Sequence, residues 1–148
     1  MGLILIGLLL LFQPPVQPPG QPPRPPLRER LLDRAQKGDA DAQFELGKNY
    51  QAGRIGLPQD FVQARHWYRE AADQGDPFAE ASLGILYHFG KGVAQDYFEA
   101  YKLYERAALH LTGGDRESVV ELRDRAGRML TASQIAEAQR LARAWKKQ

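Results

Sequence analysis

LGKNYQAGRIGLPQDFVQARHWYREAADQG, residues 46–75, and LGILYHFGKGVAQDYFEAYKLYERAALHL, residues 83–111, write nearly the same pattern twice. Each stretch runs Leu-Gly, a Tyr, a Gly-rich turn, Gln-Asp, an Ala, a Tyr and a closing Ala-Ala. Laying Leu46-Gly47 on Leu83-Gly84 needs a shift of 37 residues, whereas laying Asp60 on Asp96 needs 36. The extra residue falls in the turn Gly53-Arg54-Ile55-Gly56, where a repeated unit tolerates an insertion. Self-similarity at such a period is the signature of a stacked-repeat architecture.

Within each unit the apolar spacing is helical. Ala42, Leu46 and Tyr50 recur at i, i+4 and i+8, as do Ala79, Leu83 and Tyr87, which predicts the buried stripe of a first helix. Ala64, Tyr68 and Ala71 match Ala100, Tyr104 and Ala107 and predict a second helix after each turn. Gly47 and Gly84 sit inside the first helices, where glycine costs about 1 kcal/mol relative to Ala, so their recurrence implies a neighbour too close for a side chain. Gly53 and Gly90 are placed to stop the first helices and Gly75 to stop a second one. Asp60 and Asp96 stand immediately before the second helices, where a carboxylate accepts unpaired amide protons and meets the positive end of the helix dipole.

The assembled pattern is Ala42, Leu46-Gly47, Tyr50, Gly53, Gln59-Asp60, Ala64, Trp67-Tyr68, Ala71-Ala72, Gly75, and it resembles the Sel-one-like repeat, a relative of the tetratricopeptide repeat. The second unit matches through Gly90-Lys91-Gly92-Val93, but Leu103 replaces Trp67 and Leu111, or Gly113-Gly114 after a short insertion, stands for Gly75. The closing stretch MLTASQIAEAQRLARAWKKQ, residues 129–148, is similar to the C-terminal segment of such proteins. The resemblance implies an all-α fold, a short right-handed α-solenoid of stacked antiparallel helix pairs, and a scaffold or adaptor role.

The flanks read as caps on that stack. Counting back from Gly38, Leu31 and Ala35 take the places of Tyr68 and Ala72, so residues 27–37 should form a lone second-type helix. Residues 38–74 and 75–112 are the two repeats, and residues 113–148 a degenerate C-terminal one with Leu122 and Ala126 in the places of Leu46 and Tyr50. Thr131-Ala132-Ser133-Gln134 has the form of a capping box opening a last helix, on which Ile135, Ala138, Ala142 and Trp145 share a face. Seven helices are therefore expected in the domain 27–148.

The 26 residues before it are a different material. Gly2 to Phe12 is nearly all Leu, Ile and Gly, and as a helix would rise only about 16 Å, half the ~30 Å hydrocarbon core of a bilayer. Residues 1–13 thus read as a signal-like or anchor segment, with possible membrane attachment through residues 2–12. No Lys or Arg precedes the apolar run and no small-x-small cleavage site follows it. Residues 14–26 hold eight of the ten prolines and read as a semi-rigid polyproline II linker. The expected location is exported or membrane-anchored, in a bacterial envelope or periplasm, and cytoplasmic if the segment is not a signal.

Function is approached by exclusion and by surface. The net charge of +2, from 20 basic and 18 acidic residues, is too small to suggest nucleic acid as partner. Cysteine is absent, so disulfides and thiolate chemistry are ruled out, and with them any likeness to cysteine-rich relatives proposed to be hydrolases. His66, His88 and His110 recur every 22 residues, out of step with the repeat, and no nucleophile elbow, phosphate loop or zinc motif occurs. The carboxylates, Glu99 and Glu105 among them, read as solvated ion-pair faces, so neither an enzyme nor a cofactor or metal is expected. With Leu46 and Leu83 in the core, Phe44, Lys48 and Gln51 on one first helix and Phe78, Ile85, His88 and Phe89 on the next line the inner face. They form either a groove for a protein or peptide partner or filling between successive helices. A hydrolase or a cell-wall-associated binding protein is the alternative class.

Overall fold

In the computed structural model, which describes residues 23–146, the helical period of the sequence is realised as seven helices. They are α1 (Leu27–Gln36), α2 (Ala40–Ala52), α3 (Phe61–Asp73), α4 (Pro77–Phe89), α5 (Tyr97–His110), α6 (Gly113–Gly127) and α7 (Ala132–Ala144). No strand occurs among the described residues, and no described helix is long and apolar enough to cross a membrane. The signal-like segment 1–13 and residues 14–22 of the Pro-rich linker lie outside the described residues. Residues 23–26 are non-helical, and α1 starts on the residue after Pro26.

Local chemistry sets the helix ends. Asp39, Asp60, Asp76 and Asp96 cap α2 to α5, each accepting at least one amide proton of the first turn. Gly53 and Gly90 close α2 and α4 in the left-handed region, at φ 64° and 63°. Thr131 and Gln134 form the reciprocal capping box of α7.

Helices α2 and α3 form the first hairpin, α4 and α5 the second, and each first helix also packs on the second helix before it. The expected repeat positions Ala42, Leu46, Ala64, Tyr68, Ala71, Ala79, Leu83, Ala100, Tyr104 and Ala107 are all buried. Gly47 and Gly84 admit the tyrosine rings of the second helices: a Cβ on Gly47 would lie 2.5 Å from Tyr68 Cδ1, and one on Gly84 2.8 Å from Tyr104 Cε1. Two expected core residues are corrected. Tyr50 and Tyr87 are only half-buried, because each phenol sits at the end of its helix; the Tyr87 hydroxyl accepts a hydrogen bond from Arg69 Nη2 at 2.7 Å. Gln43, Glu80 and Leu86 are buried instead.

The largest departure from the expected stack is α7. It does not lie along α6 to complete a third hairpin but packs on α5. α6 offers little to pack against, since it buries only Val119 and Ala126. The small residues Ala138 and Ala142 bring α7 close to α5, and Gln139 Nε2 donates to the Tyr101 hydroxyl at 3.1 Å. Leu122 and Ile135 are half-buried beside this cluster. Trp145 leaves the helical face expected for it, since α7 ends at Ala144 and Trp145 is its extended C-cap.

Candidate functional site

The seven residues expected to line an inner face divide into two kinds. Phe44 and Phe78, on consecutive first helices, lie with ring centroids 6.2 Å apart. Phe44 also leans on the buried ring of Tyr68 at 5.8 Å. The ammonium of Lys48 sits over the Phe44 ring, 4.9 Å from its centroid, and pairs with Glu45. On α4 the spacing i, i+7, i+11 puts Phe78, Ile85 and Phe89 on one face of the helix over about 16 Å. Phe78 is 45% exposed and Phe89 54%, whereas Ile85 packs half-buried against the core of the second repeat. Phe44, Lys48, Phe78, Ile85 and Phe89 thus form an aromatic and aliphatic patch with a cationic edge.

Gln51, half-buried, and His88, buried, turn toward the interior, and here the sequence reading is corrected. Both occupy the same repeat position, and both face the hydroxyl of the buried tyrosine opposite. Tyr68 donates to Gln51 Oε1 at 2.9 Å, and the Tyr104 hydroxyl lies 3.5 Å from His88 Nδ1. A phenol carried into a core needs a polar partner at its tip, and this position supplies it in each repeat. Burial holds the His88 imidazole below its ordinary pKa, with Arg125 acting in the same direction. The ring is enclosed by Phe89, stacked at 4.6 Å, and by Tyr97, edge-on at 5.3 Å.

The sequence reading missed a buried ionic layer. Glu80 is fully buried, and its Oε1 accepts from Arg106 Nε at 3.0 Å and from Nη2. Nη2 also donates to the carbonyl of Ala72, at the end of α3, at 3.2 Å. The first repeat meets the same need with an amide, since Gln43 Nε2 donates to the carbonyl of Ala35, at the end of α1, at 3.1 Å. Burial pushes the Glu80 carboxyl above the usual range, with the guanidinium of Arg106 opposing. Glu105, expected on a solvated face, is also buried, and its Oε2 accepts from Arg123 Nη1 at 2.9 Å. The signal in the sequence was the pairing of Glu80 with Arg106, where the first repeat carries Gln43 and Glu70.

The acids are engaged by arginines, His66 stands edge-on to Trp67, and His110 is exposed in the last turn of α5. Among the described residues no group of three or more His, Asp or Glu could hold a metal ion.

Comparison with known proteins follows the repeat boundaries. Residues 40–76 and 77–110 each match the family model of the Sel1 repeat. A component of an ERAD-associated ubiquitin-protein ligase of Arabidopsis thaliana is 41% identical over 59 residues, 40% of this chain and 9% of that protein. A chitin synthase regulator of Saccharomyces cerevisiae is 35% identical over 94 residues, 63% of this chain and 13% of the regulator. The chain therefore spans only a small part of the length of these relatives. Among solved structures, a protective antigen of uropathogenic Escherichia coli with an SLR fold superposes with a TM-score of 0.68 at 35% identity, covering 77% of this chain and 24% of the antigen. A Sel1 repeat protein of Oxalobacter formigenes superposes with a TM-score of 0.55 at 29% identity, over 74% of this chain and 53% of that one.

Proposed function

We propose, on the premise that residues 40–110 make this chain a member of the Sel1 repeat family, that it is a non-enzymatic interaction module that holds a protein or peptide partner. The relatives named as a regulator and as a ligase component support an adaptor role of this kind. The observation that carries the reading is the patch on α2 and α4. Two large aromatic rings, Phe78 and Phe89, stand exposed on one face of a helix whose opposite face is fully packed. Phe44 and Lys48 extend the patch onto the neighbouring first helix. An extended or helical segment with apolar anchors spaced over about 16 Å is the partner that such a stripe fits.

Residues 2–12 suit an export or anchoring role, and the proposed setting is the bacterial envelope, with residues 14–26 as a spacer. Fractionation of the tagged full chain beside a form starting at Leu27 tests this. Loss of membrane or exported material on truncation supports the setting, and identical soluble behaviour of both forms overturns it. For the binding face, the test is partner capture by the wild type against a Phe78→Ala/Phe89→Ala variant. Phe78 rests on Phe44 and Phe89 on His88, so the variant should melt somewhat lower, remain helical by circular dichroism at the assay temperature, and lose its partner. Undiminished capture by the variant places the partner elsewhere.

A further inference from the structure

The two hairpins share a plan but not an outer face. Arg65, His66, Arg69 and Glu70 on α3 are exposed or half-exposed, whereas their counterparts on α5, Tyr101, Lys102, Glu105 and Arg106, are buried or half-buried. α7 accounts for the difference, because it crosses α5 there. The cover is incomplete. Between α5 and the C-terminal end of α7 a cavity of about 310 Å³ remains, lined by Lys102, Arg106, Leu141, Ala144 and Trp145.

The lining has a definite chemistry. Lys102 and Arg106 are one helical turn apart and both line this space, the Lys102 ammonium resting between Glu99 and the Phe98 ring. The guanidinium of Arg106 stacks on the Trp145 ring, 3.6 Å from its centroid, which fixes its plane. Its Nε and Nη2 serve Glu80 and Ala72, while Nη1 donates to nothing among the described residues. Lys102 Nζ has one carboxylate partner, Glu99 at 2.7 Å, and two further protons to give. The other walls, Leu141, Ala144 and the indole, are apolar.

We propose that this cavity is a ligand site for an organic carboxylate carried on an apolar body. The carboxylate would accept from Arg106 Nη1 and Lys102 Nζ, and the apolar body would lie against Trp145 and Leu141. A carboxylate suits the place better than a phosphate, because Glu80 and Glu99 already stand beside the two cations and would repel a dianion. A volume near the lower end of the ligand-pocket range suits one side chain or a small acid. The site lies on α5 and α7, so it does not depend on the patch of α2 and α4.

The experiment is an NMR titration of the full chain, following the indole N–H signal of Trp145. The probes are N-acetyl-phenylalanine, its amide, hexanoate and inorganic phosphate. Saturable movement of the Trp145 signal by N-acetyl-phenylalanine is expected, with affinity about tenfold weaker for the amide, which keeps the apolar body but lacks the charge. Equal binding of acid and amide overturns the proposal, as does an unmoved signal or a response to phosphate matching that to the acid. Hexanoate binding as tightly as the acetylated amino acid assigns the site to a free small acid, and weaker hexanoate binding assigns it to a peptide terminus. Lys102→Met, at a half-buried position outside the core pairs, should weaken the acid about tenfold and leave the amide unchanged. Unchanged acid binding by that variant would also overturn the proposal. The Phe78→Ala/Phe89→Ala variant should bind the acid normally, which separates this site from the proposed partner face.

Discussion

The ring of Tyr68 fills the space that a side chain at Gly47 would need: a Cβ there would stand 2.5 Å from Cδ1 of a ring that is only 1% exposed. Tyr104 does the same to Gly84 in the next repeat. Helix propensity favours Ala over Gly by about 1 kcal/mol, but overpacking a rigid core costs about 1–3 kcal/mol, and the Tyr68 ring is pinned by its bond to Gln51.

Gly47→Ala should therefore destabilise the fold, by up to about 2 kcal/mol in chemical denaturation. Gly114→Ala, in α6 where nothing lies within 4 Å of the added methyl, should be neutral or stabilising by less than about 1 kcal/mol. A stabilised Gly47→Ala protein would mean that the two helices part easily.

The buried carboxyl of Glu80 makes stability depend on pH. Its folded pKa is raised from 4.5 to about 7, so over that window the folded state holds a proton that the unfolded state has released. Its contribution to stability is fully present below about pH 4.5 and is lost as pH rises toward 7. Glu80→Gln places an amide where the first repeat already has Gln43, and it should abolish this fall. Denaturation midpoints of the two proteins at a series of pH values test it, and a difference that stays constant with pH contradicts the assignment.

Two tyrosines should resist ionisation. Burial pushes Tyr68 up to about 12 and Tyr104 further. In an ultraviolet titration of the phenolate band, Tyr68→Phe and Tyr104→Phe should each remove amplitude only from the late phase and leave the early phase unchanged. Loss of early amplitude would show that the rings are reached by solvent. The sign for stability is that these groups cease to support the fold as pH rises from 10 through their folded values.

The capping box opens α7, the helix that packs on α5. Thr131→Ala leaves the amide of Gln134 without its partner, and a loss of about 1 kcal/mol is expected. Because α7 covers Tyr101, hydrogen exchange should accelerate in α7 and around Tyr101 and leave α2 and α3 unaffected. Uniform acceleration throughout the chain would mean that α7 has no separate opening.

Much of the fold was legible because it is encoded locally and written twice. Asp60 before Phe61, Gly53 after Ala52 and the Thr131–Gln134 box act within one turn of chain, and each ends or begins a helix where the sequence places it. The candidate patch was legible only in part. Phe44, Phe78 and Phe89 stand apart from the core by their helical phase, but that same phase put Gln51 and His88 on the surface. Phase reports direction on one helix and is silent about the length of the tyrosine reaching across from the other.

Repetition and capping chemistry in the sequence by themselves determined seven helices, the starts of α3, α5 and α7, the stops of α2 and α4, and the two hairpins. Tertiary structure alone decided that Glu80 and Arg106 meet 26 residues apart, that Gln51 and His88 serve buried hydroxyls, and that α7 turns from α6 to cover α5. The reason lies in range. A helix end satisfies its own amides and carbonyls within a few residues, whereas the partner of a buried charge and the face that receives a last helix depend on which surfaces remain unpaired once the hairpins have packed.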